Sequence, residues 1–146
     1  MTSVPSELAM FDDVIARCMA ARTLRTARIV TRLYDQALSE HGLTITQFTL
    51  MIVIGRHKPN SLSKLAEGLD IERSTLSRNI AKLRDGGFVE TVPSGRAQHL
   101  RLTRKGQTVL SEVYPKWQEV QASIETKLGE PELLKVREAL GSLQQV

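Results

Sequence analysis

The sequence predicts a mainly α fold interrupted once by a two-stranded hairpin. Three observations carry that prediction: helical apolar spacing from about Ser6 to His41 with no internal proline or glycine, two short helical segments between residues 62 and 85 with facing apolar sides, and turn-forming residues from Pro93 to Gln98 between two strand-like stretches. At 146 residues the chain suits one folding unit. The expected division of that single domain, 1–146, is a helical region from both ends (6–42 and 103–146) around a lobe at 44–102.

Leu8, Phe11, Ile15 and Cys18, then Val30, Leu33, Ala37 and Leu38, define the first stripe, and Gly42 supplies its stop, so one long helix is expected. Thr44 followed by Gln47 has capping-box spacing, and the apolar run from Phe48 to Ile54 reads as a fully buried second helix ending near Gly55 to Pro59. Ser61 can cap a third helix reaching Glu67 or Gly68, and a fourth should run from about Glu72 to Asp85, stopped by Gly86 and Gly87. Strands are expected at Phe88–Val92 and His99–Leu102. Thr103 can cap a fifth helix containing Pro115, Gly129 ends it, and Pro131 sits in the first turn of a sixth through Leu133, Leu134, Val136, Leu140 and Leu143.

Composition narrows the function. With 41% hydrophobic and 25% charged residues, the chain is neither disordered nor collagen-like. A single cysteine, Cys18, allows no internal disulfide and no multi-cysteine zinc cage, which fits a reducing cytosol. The apolar stretch Phe48–Gly55 is far short of the roughly 20 residues that span a bilayer, and the first residues lack a basic run followed by an apolar one. A cytoplasmic protein without a membrane partner is expected. Net charge is +4, but Arg56 to Gly106 alone holds eleven Lys or Arg against five Asp or Glu. The positive charge therefore gathers in the middle third, where a polyanion should dock.

Residues 62–83 have the logic of a helix-turn-helix. Leu65, Leu69, Ile71, Leu76, Ile80 and Leu83 can share one core, and Ala66 is small enough for a close crossing. On a helical wheel Leu76, Ile80 and Leu83 fall within about 60° of each other, which leaves Ser74, Arg78 and Lys82 broadly opposite and Thr75 and Ser77 on the flanks. Arginine can fork onto guanine O6 and N7, and short hydroxyls can bond base edges or phosphates. A polar face on a lone helix is usually just solvated. Here a basic hairpin follows at once, with Arg96 at its tip and Gln98 and His99 nearby, so a winged helix-turn-helix is the better reading. The candidate DNA-binding residues are Ser61, Ser63, Arg73, Ser74, Thr75, Ser77, Arg78, Lys82, Arg96 and Gln98.

Over essentially its whole length the chain resembles the MarR (multiple antibiotic resistance regulator) family. The resemblance is carried by Gly42-Leu43-Thr44 through Gln47-Phe48, Ser61-Leu62-Ser63-Lys64-Leu65-Ala66, Ser74-Thr75-Leu76-Ser77-Arg78, Leu83 through Gly87-Phe88-Val89, and Ser94-Gly95-Arg96 leading to Leu102-Thr103-Arg104-Lys105-Gly106. In one respect it departs: the family's wing usually has aspartate two residues before its arginine, and here that position is Ser94. The wing should lack a salt bridge that commonly braces its tip.

The resemblance implies a cytoplasmic homodimer whose terminal helices intertwine and whose two winged lobes read a pseudo-palindromic promoter site on double-stranded DNA. The apolar C-terminal segment independently calls for a partner surface. It also implies a ligand-responsive repressor that releases DNA when a small phenolic or other aromatic effector enters a pocket between dimer helices and lobe, with Arg22, Arg25, Phe48 and Met51 as candidate lining residues. Arg22, Arg25, Arg28 and Arg32 form a basic stripe that reads as a solvated or ion-paired face ahead of a carboxylate-binding one.

Two other readings compete. One is a thiol-based redox sensor on the same fold using Cys18, although Cys18 lies about one turn earlier than the sensor cysteine of the family's hydroperoxide-responsive branch. The other is an effector-free architectural DNA binder. An enzyme is not expected: His41, His57 and His99 are scattered, no metal-ligand spacing or glycine-rich phosphate loop occurs, and only an unsupported pairing of Cys18 with a histidine would offer a nucleophile. No cofactor, metal or catalytic residue is assigned.

Overall fold

The computed structural model describes residues 6–145, divided between two units, Met1–Leu33 and Tyr34–Val146. In the first, Ser6 caps α1 (Glu7–Arg17) by accepting from the Ala9 N–H at 3.3 Å, and Glu7 sits in the first turn where the helix dipole favours a carboxylate. The single long helix expected from Ser6 to His41 is corrected here, because the chain breaks at Cys18 and restarts as α2 (Met19–Leu38). Cys18 takes an extended ψ of 105° while its N–H still bonds the Val14 carbonyl.

Side chains stand in for the helical bonds the break removes: the Ala21 N–H meets the Cys18 sulfur at 3.5 Å, and the Arg22 guanidinium donates to the Ala16 carbonyl at 2.8 Å. No proline or glycine marks the site, so periodicity alone could not reveal it. Helix α1 buries none of its residues, and Leu8, Phe11, Val14 and Ile15 all lie exposed.

The second unit starts at the end of α2, where Tyr34 and Leu38 are buried, and turns through a short 3-10 segment, Ser39–His41, onto Gly42 at φ 67°. Thr44 and Gln47 form the expected capping box at α3 (Ile45–His57), and Asp35 fixes its start by accepting from the Ile45 N–H at 2.7 Å. Helix α3 is not buried all round. Gln47, Phe48, Leu50, Met51 and Ile54 face inward, whereas Ile52 is 46% exposed.

Helix α4 (Leu62–Leu69) is capped by Ser61. It closes with the Ile71 N–H on the Ala66 carbonyl and the Asp70 N–H on the Glu67 carbonyl, a Schellman arrangement with Asp70 at φ 50° in the place glycine usually holds. Helix α5 (Arg73–Asp85) ends in the same pattern, the Phe88 N–H on Leu83 and the Gly87 N–H on Arg84, with Gly87 at φ 75°. Strands β1 (Val89–Ser94) and β2 (Ala97–Leu102) pair antiparallel from Val89 opposite Leu102 to Ser94 opposite Ala97.

The strands are longer than the segments expected, and the connection shrinks to Gly95-Arg96. Pro93 is tolerated within the ladder because each strand of a two-stranded sheet has an edge that needs no N–H. Thr103 caps α6 (Arg104–Leu128), which runs through Pro115, and Gly129 separates it from α7 (Glu130–Leu143), where Pro131 occupies the first turn.

One core holds this unit together, and Leu76, Ile80 and Leu83 of α5 are its most enclosed contribution from the helix-turn-helix, with Leu65 and Ala66 of α4 beside them. Each such leucine or isoleucine contributes about 2 kcal/mol by burial. Leu69 and Ile71 pack against this core only partly buried, while Leu134, Val136, Leu140 and Leu143 of α7 remain exposed.

Candidate nucleic-acid interface

Because Leu76, Ile80 and Leu83 anchor one side of α5, its other side is fixed outward: Arg73, Ser74, Ser77, Arg78 and Lys82 are exposed and Thr75 is half-buried. Thr75 has a local role as well. Its Oγ1 accepts from Arg78 Nη2 at 3.3 Å and its carbonyl accepts from Asn79 at 3.0 Å, which steadies the arginine without giving it a carboxylate. On α4, Ser61 Oγ is committed as an acceptor to the Lys64 N–H, leaving its proton to donate, and Ser63 is half-buried.

The wing projects Arg96 and Gln98, both exposed. Gly95 takes φ 61° and Arg96 does not enter positive φ, the backbone of a type II′ turn, whose hand matches the strand twist. Among the described residues Arg96 has no carboxylate partner, as the serine at position 94 implies. The wing is braced lower down. Glu90 and Arg101, directly opposite in register, pair at 2.7 Å, Arg84 of α5 donates to Thr91, and the Leu100 N–H bonds the Pro59 carbonyl at 2.9 Å.

Sequence reasoning placed Thr103 as a helix cap but missed the tertiary contacts that hold these parts together. Thr103 donates through Oγ1 to the Gly87 carbonyl at 2.6 Å, and Lys105 Nζ donates to the Gly86 carbonyl at 2.7 Å while lying 5.0 Å from the centre of the Phe88 ring. Arg84 was also missed. Its signal was visible as a basic residue in the last turn of α5, but its partner Thr91 is a tertiary neighbour no spacing rule reveals.

Of the four candidate effector residues, Arg22 and Arg25 are exposed on α2, and Phe48 and Met51 belong to the core of the second unit. Phe48 stacks on Trp117 of α6, which stacks in turn on Tyr114, with ring centres 6.4 and 5.7 Å apart. One turn further along α6, Tyr34 donates to Gln121 at 2.6 Å, and Gln121 donates to Glu125 at 2.8 Å. Burial, and after it the Glu125 charge, pushes the Tyr34 phenol above its ordinary value of 10.0. Cys18 is half-buried at the break between α1 and α2 rather than set within the stripe of one helix. Among the described residues no three His, Cys, Asp or Glu gather to hold a metal, and no single helix is long and apolar enough to cross a membrane.

A lobe with this helix-turn-helix and this wing defines a winged-helix protein, and similarity to known proteins identifies the family. The family profile described as MarR family matches residues 41–98. Transcriptional regulator MosR of M. tuberculosis is 34% identical, with 88% of this chain and 94% of that one covered at a TM-score of 0.78. Its structure in complex with DNA aligns at 33% identity, 88% and 97% coverage and a TM-score of 0.74.

Two more distant relatives agree. A cysteine-to-serine mutant of MarR from E. coli, complexed with operator DNA, shares the fold at 20% identity, 91% and 96% coverage and a TM-score of 0.79. An uncharacterized HTH-type transcriptional regulator of Bacillus cereus is 24% identical over 114 residues, 78% of each chain. The chain belongs to the MarR family of transcriptional regulators.

Proposed function

We propose that the protein is a cytoplasmic, homodimeric, ligand-responsive repressor that binds a pseudo-palindromic promoter site, with Arg78 on α5 reading bases in the major groove and Arg96 on the wing meeting phosphates or a narrow minor groove. The observation that carries this is the outward face of α5, where exposed Arg73, Ser74, Ser77, Arg78 and Lys82 lie opposite Leu76, Ile80 and Leu83, all three essentially fully buried. Ser61, Ser63, Thr75 and Gln98 complete the surface as hydroxyl and amide donors. The homodimer is supported by the exposed leucines of α7 and the exposed apolar residues of α1, which a soluble chain covers with a partner. A small aromatic effector is supported by the stack of Phe48, Trp117 and Tyr114, whose outer ring is open to solvent.

Salt-titrated binding to operator and to scrambled duplex tests the division of labour. Arg78→Ala should cost about 1 to 3 kcal/mol on operator and relax preference at one base pair of each half-site. Arg96→Ala should weaken operator and scrambled duplex alike and reduce the salt slope by roughly one per wing. If Arg78→Ala leaves specificity untouched while Arg96→Ala abolishes it, the two elements have been given each other's jobs.

A further inference from the structure

A cleft of about 670 Å³ opens at the base of the wing, away from the outward face of α5, between the end of α3, the strands and the first turns of α6. That volume lies within the range of about 300–1,000 Å³ typical of small-molecule sites. Three cations line it, Lys58, Arg101 and Arg104, against one carboxylate, Glu90. Arg101 is engaged by Glu90 at 2.7 Å, so Lys58 and Arg104 are left without a carboxylate partner among the described residues. Arg104 also stands at the first position of a helix of 25 residues, where backbone N–H groups lack helical partners and the dipole favours an anion.

The other wall has a different chemistry. The Thr108 and Ser111 hydroxyls spend their protons on the carbonyls of Arg104 and Gln107, at 3.0 and 3.1 Å, so toward the cleft they offer only acceptor lone pairs. Those two oxygens are met by donors on a ligand. None of the six aromatic residues lines the cleft, so nothing there stacks on a phenol. Gly55 lets Leu102 pack directly on the end of α3 as the floor, since a Cβ at that position would come within 2.8 Å of the Leu102 side chain.

We propose that this cleft binds a polyhydroxylated oxyanion of the sugar-phosphate class, with its anionic end on Lys58, Arg104 and the start of α6 and its hydroxyls donating to Thr108 and Ser111. Occupancy would pin the end of α3 to α6 across the root of the wing. It would give the proposed regulator an effector site separate from the aromatic stack of Phe48, Trp117 and Tyr114, and because binding is read without DNA, a cleft that takes no ligand is distinguishable from a repressor that has no ligand response.

Isothermal titration of the full chain at matched ionic strength, with glucose 6-phosphate and 6-phosphogluconate as probes, and inorganic phosphate, glucose and benzoate as controls, tests this. At least one sugar phosphate should saturate at millimolar concentration or below and bind roughly tenfold more tightly than every control. The double variant Lys58→Met, Arg104→Met should weaken that binding by roughly tenfold with the thermal midpoint preserved. Ser111→Ala, a substitution on an exposed helix face that leaves the fold intact, should weaken the sugar phosphate several-fold and leave inorganic phosphate unchanged. Absence of saturation by both sugar phosphates at about 10 mM, equal affinity for inorganic phosphate, or affinity indifferent to all of these substitutions would overturn the proposal.

Discussion

Substituting Gly106 by alanine puts the packing of α6 against the wing to a direct test. A Cβ built at Gly106 lies 2.1 Å from the Phe88 carbonyl oxygen and 3.0 and 3.3 Å from the Phe88 carbonyl carbon and Cα, distances set by backbone rather than by a side chain that could swing away. Real Cβ atoms do not approach closer than 3.0 Å, so the start of α6 must retreat by most of an ångström. Thr103 makes two hydrogen bonds across that seam, its N–H to the Phe88 carbonyl at 3.0 Å and its hydroxyl to the Gly87 carbonyl at 2.6 Å.

Losing both costs about 2 kcal/mol, and overpacking a tight backbone contact costs about 2 kcal/mol more. Alanine returns about 1 kcal/mol through helix propensity. A net loss of about 3 kcal/mol, or roughly 6 to 12 °C in thermal midpoint for a chain of this size, is expected. Gly68→Ala supplies the control: it is also helical but has nothing within 4 Å of a built Cβ, and it should gain about 0.5 to 1 kcal/mol. Urea unfolding followed by circular dichroism reads both. A Gly106→Ala protein within about 0.5 kcal/mol of wild type would refute the packing argument.

Three further outcomes are expected. The raised Tyr34 pKa means its stabilisation is fully present below the unfolded value near pH 10 and fades as pH rises through the folded value, so urea midpoints should fall above about pH 10. Tyr34→Phe should cost about 1 kcal/mol at neutral pH and show a shallower alkaline decline; an identical slope would assign the decline to other groups. Cys18→Ser keeps an acceptor for the Ala21 N–H and should bind operator like wild type, and hydroperoxide should not release DNA from either; a wild-type response lost in the variant would make this a redox sensor. Sedimentation should find a dimer at micromolar concentration, and deleting residues 131–146 should give aggregate or unfolded chain rather than a well-folded monomer that still binds operator.

How much was legible in the sequence depended on whether the deciding interaction was local. The caps at Thr44, Ser61 and Thr103 and the stops at Gly42 and Gly129 are contacts within a few residues, and all five fell where spacing placed them. The buried side of α5 was equally readable, because a period of 3.6 fixes which residues face together. The break at Cys18 was not readable, because it is held by a sulfur acting as a cap and by an arginine reaching back six residues, neither of which disturbs composition or periodicity. Nor was the exposure of Ile52, since a continuous apolar run carries no phase. In the wing, the turn residues announced a hairpin but not its register, which cross-strand pairing settled two residues further out than composition suggested.

The contacts around residues 86–106 bear on how a signal could reach DNA. Helix α5 ends on Gly86 and Gly87, and both carbonyls are held by the start of α6, through Lys105 and Thr103. The same stretch of α6 touches Phe88 backbone through Gly106, and Phe88 leads straight into β1. Arg84 then ties the last turn of α5 to Thr91 on that strand. Helix α5 and the wing therefore do not hang from a flexible joint, although two consecutive glycines would allow one. A displacement of the first turn of α6 has to carry both with it or break charge-assisted and neutral hydrogen bonds costing roughly 1 to 3 kcal/mol each. That cost is comparable to the coupling of about 1 to 3 kcal/mol that a ligand typically exerts on a distant site, so the intact clasp is stiff enough to carry a shift of α6 to the outward face of α5 and to the wing as one body.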